Sequence, residues 1–112
     1  MKKKYFLNAN IIDTHNSLNE VGGLIIDENG LVEAIGKKVN KNNIPSREKV
    51  IDLQGKYIFP GIVDMRVFVG EPGYEYKENF RTLSNAALSG GVTSVVTMPN
   101  TDPIIDNVSI VD

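Results

Sequence analysis

The sequence predicts an α/β protein in which a small all-β module precedes a parallel strand–helix–strand unit. Three observations support this class. The first sixty residues contain short apolar runs separated by turn residues, and an almost continuous apolar run follows at 62–69. A helical pattern then separates that run from a β-branched run at 92–98. A strand–helix–strand of this length favours a parallel pair with a right-handed crossover.

The β module begins with a strand at residues 5–7, and Ile11-Ile12 either extend this strand or start its partner. A hairpin is predicted between 24–26 and 31–35, because Asn29-Gly30 tolerates the positive φ of a tight turn. The remaining part of the module holds a lysine- and asparagine-rich surface loop and another short strand pair, at residues 36–49, 50–53 and 57–59.

The second half changes character at Pro60-Gly61. Residues 62–69 predict a strand buried on both faces, since apolar residues follow one another without alternation. Residues 78–89 predict a helix that Gly90-Gly91 ends, and residues 92–98 predict a second buried strand. One helix face is apolar, through Phe80, Leu83, Ala87 and Leu88. Near the end of the chain, Asp106 or Asn107 is the predicted cap of a further helix.

Composition excludes several classes of protein. A net charge of −2 gives no reason to expect a nucleic-acid or membrane partner, and no apolar run is long enough to span a bilayer. Without cysteine there is no disulfide and no thiolate metal site. The single histidine, His15, is expected in a surface loop and cannot form a multi-histidine centre. We expect a cytoplasmic protein.

Residues 60–73 carry a motif that resembles the entry motif of the cyclic amidohydrolases, and of dihydroorotase in particular. That family pattern is P-G-x-I-D-x-H-x-H-x-R-E-P-G. The matching residues are Pro60, Gly61, Asp64, Glu71, Pro72 and Gly73. A second motif supports the resemblance: residues 90–103 are similar to the family's G-G-[FV]-T-x-x-x-x-M-P-N-T-x-P, and Lys77-Glu78 match its K-E.

The resemblance implies the start of a (β/α)8 metal-hydrolase-type barrel, preceded by the N-terminal part of a small β-sandwich. Residues 1–59 are the expected sandwich portion, and residues 60–112 the first strand–helix–strand unit of the TIM-type barrel. The fold is then incomplete in this chain, which we expect to be the N-terminal portion of a longer protein that forms an oligomer.

In the family that this chain resembles, the two histidines of the motif help to hold zinc at the end of barrel strand one. Arg66 and Phe68 occupy these positions here, and neither side chain has a lone pair to donate. We therefore expect no catalytic residue, no metal ligand and no cofactor from this chain. Arg66 is expected either to pair with a carboxylate, such as Asp64 or one from a later strand, or to favour an anionic ligand. Phe68 is expected to fill the space of the metal pocket.

The substrate-binding positions of the motif are also altered. Gly70 stands where the resemblance implies a substrate-binding arginine, whereas Asn100 matches an asparagine that contacts the substrate. Asn100 is therefore a vestigial substrate-binding candidate. Glu71 and Glu78 invite an acid–base interpretation, but turn formation at Glu71 and a helix-terminus role at Glu78 explain them better.

The R-V-F-x-G-E-P-G form is similar to a branch of the family that has lost its metal ligands. The resemblance implies a non-catalytic dihydroorotase homologue in pyrimidine biosynthesis, which acts as a structural partner of aspartate transcarbamoylase. One alternative is an active zinc-dependent cyclic amidohydrolase whose ligands lie beyond residue 112. A weaker alternative is an adaptor that resembles the ligand-less dihydropyrimidinase relatives known as collapsin response mediator proteins.

Overall fold

The computed structural model describes residues 2–112, and the chain divides into two compact units between Pro60 and Gly61. We call the first the β unit and the second, Gly61–Asp112, the αβ unit. Across residues 2–112, no helix is both long and apolar enough to cross a membrane.

The β unit is one five-stranded sheet built around its first strand. Strands β1 (Lys4–Asp13), β2 (Leu18–Ile26) and β3 (Val32–Gly36) form an antiparallel meander, which confirms the predicted β2–β3 hairpin. Strands β4 (Val50–Asp52) and β5 (Tyr57–Ile58) both pair with β1 in parallel.

Strand β1 resolves the choice that the sequence left open, since the Ile11-Ile12 segment extends the first strand. A register shift between Phe6 and Ala9 interrupts its pairing with β2, and Asn8 there has a φ of 59°. The predicted pairing of β4 with β5 is wrong. Leu53 N–H donates to the Leu7 carbonyl at 2.9 Å, so the chain after β4 continues to follow β1.

The core of the β unit includes part of a segment that was predicted as a surface loop. Val39 and Ile44 are buried against Tyr5 and Leu7, while most of the segment around them is exposed. A short 3₁₀ turn at Lys41–Asn43 lies between the two buried residues. The loop prediction was therefore right about its irregular backbone and wrong about its burial.

The αβ unit contains the predicted parallel strand pair. Strand β6 (Ile62–Val67) pairs in parallel with β7 (Val92–Thr97), and helix α1 (Phe80–Ser89) lies between them in sequence. Helix α2 (Val108–Val111) follows, with Asn107 at its N-cap. The mixed α/β class is thus confirmed, while the assignment of these strands to a barrel stays a prediction.

Helix α1 begins two residues later than predicted because Asn79 caps it. The Asn79 side chain accepts the Thr82 N–H at 3.0 Å, and the Thr82 hydroxyl accepts the Asn79 N–H at 3.1 Å. The two residues satisfy backbone donors that a helix terminus leaves unpaired. Gly90 ends the helix, and Gly91 follows with a φ of 81°, as the Gly90-Gly91 pair predicted.

The predicted burial of β6 on both faces is contradicted, and so is that of β7, where Val95 and Val96 are exposed. Ile62, Val63 and Met65 are exposed, Met65 by 76% of its surface. A continuous apolar pattern indicates that the strand suits a buried environment. Burial on both faces also requires a packed layer on each side of the strand. The described residues of the αβ unit do not supply these two layers.

Candidate functional site

The end of β6 positions Arg66 and Phe68, which stand where the resemblance implies two metal-ligating histidines. Arg66 lies within the strand, and Phe68 lies one residue beyond its end. The Arg66 backbone N–H donates to Asp64 Oδ1 at 3.0 Å, but no described carboxylate lies within 4.0 Å of the Arg66 guanidinium. The expected charge pair with Asp64 is therefore wrong, and a partner from a later strand stays a prediction.

The zinc ion that the family resemblance implies does not fit the two residues at these positions. A guanidinium carries a permanent positive charge and has no free lone pair, and a phenyl ring offers no ligand atom. A divalent cation close to Arg66 would also be repelled by its charge. Within residues 2–112, no group of three or more histidine, cysteine, aspartate or glutamate side chains is arranged to hold a metal ion.

Gly70 is required by the backbone at the position where the resemblance implies an arginine. Its φ is +75°, and its carbonyl accepts the Tyr74 N–H at 2.6 Å. A Cβ added at Gly70 would lie 2.8 Å from the Glu78 carbonyl oxygen and 3.2 Å from Phe68 Cε1. An arginine would therefore strain the backbone and displace this loop.

The three carboxylates of the loop between β6 and α1 all accept hydrogen bonds from within the αβ unit. Glu71 accepts the Phe80 N–H at 2.9 Å, at the N-terminus of α1, where a carboxylate is favourable. Glu75 accepts the Gly73 N–H at 2.9 Å, and this bond lowers the pKa of Glu75. Glu78 accepts a hydrogen bond from the Thr82 hydroxyl. These bonds support the structural interpretation of Glu71 and Glu78 over an acid–base role.

The loop that follows β7 is tied to the loop that follows β6. Asp102 N–H donates to the Pro72 carbonyl at 3.0 Å, and a Cβ at Gly73 would collide with the Asp102 backbone. Thr101 is buried, and its hydroxyl donates to the Pro103 carbonyl at 2.8 Å. The two sequence motifs thus form one packed structure at the carboxyl ends of β6 and β7.

A cavity of about 280 Å³ opens at these loops, lined by Phe68, Tyr74, Lys77 and Asn100. We call it the loop pocket. Lys77 Nζ lies 5.3 Å from the centroid of the Tyr74 ring and 5.6 Å from that of Tyr76. The Phe68 and Tyr74 ring centroids are 6.2 Å apart. These are the distances of cation–π and aromatic pairs.

The structure brings together two of the four site positions that the sequence indicated. Phe68 and Asn100 line the loop pocket, whereas Arg66 and Gly70 are not among its lining residues. Phe68 is 38% exposed and its ring lines the loop pocket, while its expected role as filler of a metal pocket stays a prediction. Tyr74 was missed, and Lys77 was noted without a role. The Tyr-Glu-Tyr-Lys run of residues 74–77 was the available signal.

The comparisons with known proteins agree on one family. Residues 55–111 match the family model described as Dihydro-orotase-like. The chain is 43% identical over 102 residues to a protein named dihydroorotase from Chlorobaculum tepidum, covering 91% of this chain and 23% of that protein. It is 38% identical over 104 residues to dihydroorotase from Carboxydothermus hydrogenoformans, covering 93% and 23%. The chain therefore spans about a quarter of the length of these relatives.

Proposed function

Because the chain belongs to the dihydro-orotase-like family, we propose that it is a non-catalytic dihydroorotase homologue associated with pyrimidine biosynthesis. The observation that carries this proposal is the pair of residues at the metal positions, Arg66 and Phe68. Neither can ligate zinc, and Arg66 opposes a cation with its own charge. Gly70 supports the proposal because its backbone conformation excludes the arginine side chain that would bind a substrate.

We propose further that the protein acts as a structural partner of aspartate transcarbamoylase. Two features support a structural role. The R-V-F-x-G-E-P-G form resembles the ligand-less branch of the family, and the motif loops are joined by hydrogen bonds that need no metal ion, such as Asp102 N–H to the Pro72 carbonyl. The shape of the site is thus held by the chain itself.

In this proposal, β6 and β7 are the first two strands of a (β/α)8 barrel, and the β unit is the N-terminal portion of a β-sandwich in a cytoplasmic protein. The parallel pairing of β6 with β7 across a helical connection supports the barrel assignment. The exposed apolar side chains of β6 also support it, because barrel strands have packed layers on both faces.

Co-elution tests the partner role. The full-length protein and the aspartate transcarbamoylase of the same organism are passed together through size-exclusion chromatography with light scattering. We expect one shared peak, whose mass exceeds that of either protein alone. A mixture with an unrelated protein of similar mass is the control. Separate peaks at concentrations well above the micromolar range would contradict the partner role.

An active zinc-dependent amidohydrolase completed by residues beyond 112 is the second candidate, and one observation favours it. The relatives that match at 38% and 43% identity are named dihydroorotase. This candidate requires a metal ion held without the strand-one ligands and close to the charge of Arg66. Zinc content and turnover separate the two candidates. The comparisons give no observation that favours the adaptor that resembles the collapsin response mediator proteins.

A further inference from the structure

We propose that the β unit docks an acidic segment of a partner protein, at a cavity beside residues 37–49. We call residues 37–49 the basic segment. In this assignment, carboxylates of the partner pair with Lys37 and Lys41, and one aliphatic side chain of the partner enters the cavity. The surface belongs wholly to the β unit, and the proposal goes beyond the structural role proposed above and does not depend on it.

The basic segment concentrates positive charge in a chain that is acidic as a whole. It holds five of the chain's 12 lysine and arginine residues and one of its 14 acidic residues, although the net charge is −2. All five cations are exposed, namely Lys37, Lys38, Lys41, Arg47 and Lys49. Glu48 Oε1 lies 4.0 Å from Arg47 Nε, but the four lysine ammonium groups have no carboxylate of residues 2–112 within 4.0 Å. A cluster of exposed and unpaired ammonium groups attracts an acidic partner and speeds its encounter.

Buried and capping residues hold the basic segment in place. Val39 and Ile44 are buried in the core cluster, where they meet residues of β1. The 3₁₀ turn between them is capped, because the Asn40 side chain accepts the Asn42 N–H at 2.9 Å. The backbone that carries the lysines is therefore ordered before a partner arrives, which reduces the conformational entropy lost on binding.

A cavity of about 440 Å³ lies beside these cations, and Lys37 and Lys41 both line it. We call it the basic pocket. Its apolar wall is formed by Leu7, Val21 and Val39, and Val21 is 65% exposed. A leucine or isoleucine side chain that enters the basic pocket would cover this wall and remove apolar surface from water.

The groups that line the basic pocket favour a carboxylate-bearing protein over a nucleic acid. Among the described residues, no carboxylate and no aromatic ring lines the pocket, and its uncharged polar side chains are the amides of Asn8 and Asn40. A neighbouring carboxylate is already engaged, because Asp52 Oδ1 accepts Asn8 Nδ2 and the Gln54 N–H, each at 2.9 Å. Single-stranded nucleic acids bind through bases stacked on aromatic rings, which this pocket does not supply.

The test titrates a fluorescently labelled peptide, Gly-Asp-Glu-Leu-Glu-Asp-Gly, with the full-length protein and follows its anisotropy. We expect saturable binding that weakens severalfold between about 50 and 200 mM NaCl, because salt screens exposed charges. A peptide with amides in place of its four carboxylates is expected to bind about tenfold more weakly, and one with serine in place of leucine roughly fivefold.

Variants then locate the peptide on the basic pocket. Lys37→Gln combined with Lys41→Gln is expected to lower the affinity about tenfold. Lys2→Gln combined with Lys4→Gln is the matched control, because these exposed lysines lie outside the basic segment and the net charge changes equally. This control is expected to leave the affinity unchanged. Val21→Thr, which places a hydroxyl in the apolar wall, is expected to lower the affinity about threefold.

Three results would overturn the proposal: no saturable binding of the acidic peptide, equal affinity for the acidic and amide peptides, or equal affinity in the lysine double variant and its control. Full-length protein is used so that a basic pocket covered by the rest of a longer chain appears as the first of these results. If the lysine double variant fails to fold, the comparison of peptides on the unmodified protein still decides.

Two further results would assign the surface to a different occupant and would also overturn the proposal. One is displacement of the labelled peptide by an oligouridine at lower concentration than by the unlabelled peptide. The other is a loss of the protein's own oligomeric mass in the lysine double variant, measured by light scattering, which indicates a second copy of the chain. Failure here leaves the co-elution result untouched, so loss of this docking surface and loss of the proposed partner role are distinguishable.

Discussion

The two units of this chain differ in how they are held together. The β unit buries a set of alternating sheet residues and two loop residues, namely Tyr5, Leu7, Ala9, Ile11, Val39 and Ile44. In the described αβ unit, Val69 is the buried apolar side chain, and neighbouring residues on both faces of β6 are exposed. Alternating apolar residues give the sheet of the β unit one apolar face, which forms a core with one loop. A strand that is apolar on both faces is buried only when a packed layer covers each face.

The αβ unit is organised instead by polar contacts around its loops. Asn79 and Thr82 cap α1 reciprocally, Glu71 holds the first N–H of that helix, and Asp102 joins the two motif loops. Such bonds each contribute about 1 kcal/mol, less than a well-buried aliphatic side chain. The candidate site therefore lies on the unit whose geometry depends most on individual hydrogen bonds and backbone conformations.

The largest expected effect comes from removing core volume in the β unit. Ile11 is 1% exposed, so Ile11→Ala is expected to lower the free energy of unfolding of the β unit by about 3 kcal/mol through lost burial and a cavity. Ile62→Ala in the αβ unit is the matched control and should cost less than about 1 kcal/mol in this 112-residue chain. Native-state hydrogen exchange reports each unit separately. Equal losses would remove the contrast between the units.

The next prediction concerns why position 70 requires glycine. The requirement comes either from the positive φ alone or also from the neighbouring atoms. Gly91 has a similar φ of 81°, but a Cβ there would meet nothing within 4 Å. Gly91→Ala is expected to lower the free energy of unfolding by about 1 kcal/mol, because alanine is disfavoured in the left-handed region. Gly70→Ala is expected to cost about 2–3 kcal/mol, because its Cβ also meets two carbonyl oxygens and the Phe68 ring.

Urea denaturation of the two glycine variants provides this measurement. Gly90→Ala serves as a third variant, because Gly90 has a φ of −90° and its added Cβ meets only ordinary contacts. It should change stability by less than about 0.5 kcal/mol. Similar costs for Gly70→Ala and Gly91→Ala would mean that the loop adapts to a side chain, and that the backbone does not exclude an arginine at position 70.

Most element positions in this fold could be predicted from the sequence because their signals are local. The Asn29-Gly30 turn, the Gly90-Gly91 stop and the apolar runs of β6 and β7 each depend on a few neighbouring residues. The partner of β4 was predicted wrongly because strand pairing is decided by residues far apart in sequence: Val50 lies beside Tyr5. The burial of Val39 and Ile44 has the same origin.

The candidate site was predictable in its chemistry and not in its geometry. Residue types alone exclude metal ligation at Arg66 and Phe68. The clash of a Cβ at Gly70 with the Glu78 carbonyl depends on the path of the loop, and the position of Lys77 depends on where the tyrosine rings lie. Neither of these two features can be predicted from the spacing of residues along the sequence.

A smaller effect tests the polar organisation of the αβ unit. Asn79→Ala removes the N-cap of α1 and is expected to cost about 1 kcal/mol. Asn107→Ala is the control, because Asn107 occupies the N-cap of α2 but makes no side-chain capping bond. We expect almost no change for the control. The measurement is the thermal unfolding midpoint followed by the helical circular dichroism signal. Equal shifts would show that the Asn79 capping bonds contribute little.

The smallest expected effect is on the pH dependence of the β unit. Asn16 Nδ2 donates to Asp13 Oδ2 at 2.5 Å, and this bond lowers the pKa of Asp13 below its ordinary value of 3.8. A lowered folded-state pKa contributes stability above the unfolded-state pKa, and this contribution is lost as pH falls through the folded-state pKa. Asn16→Ala should therefore raise the pKa of Asp13 towards 3.8 and reduce that contribution.

Carboxyl NMR titration of the Asn16→Ala variant checks this shift. Asp52 is the internal control, because its pKa is lowered by the side chain of Asn8, which the variant leaves in place. An unchanged pKa for Asp13 in the variant would show that the bond to Asn16 is not its cause.

We propose that the family's structural frame persists here without its metal chemistry. The most direct measurement is the zinc content of the full-length protein, purified without chelator, with dihydroorotate hydrolysis assayed on the same sample. We expect zinc at the level of the buffer blank and no turnover. One zinc ion per chain together with turnover would contradict it, and would mean that other ligands rebuild a metal site beside Arg66.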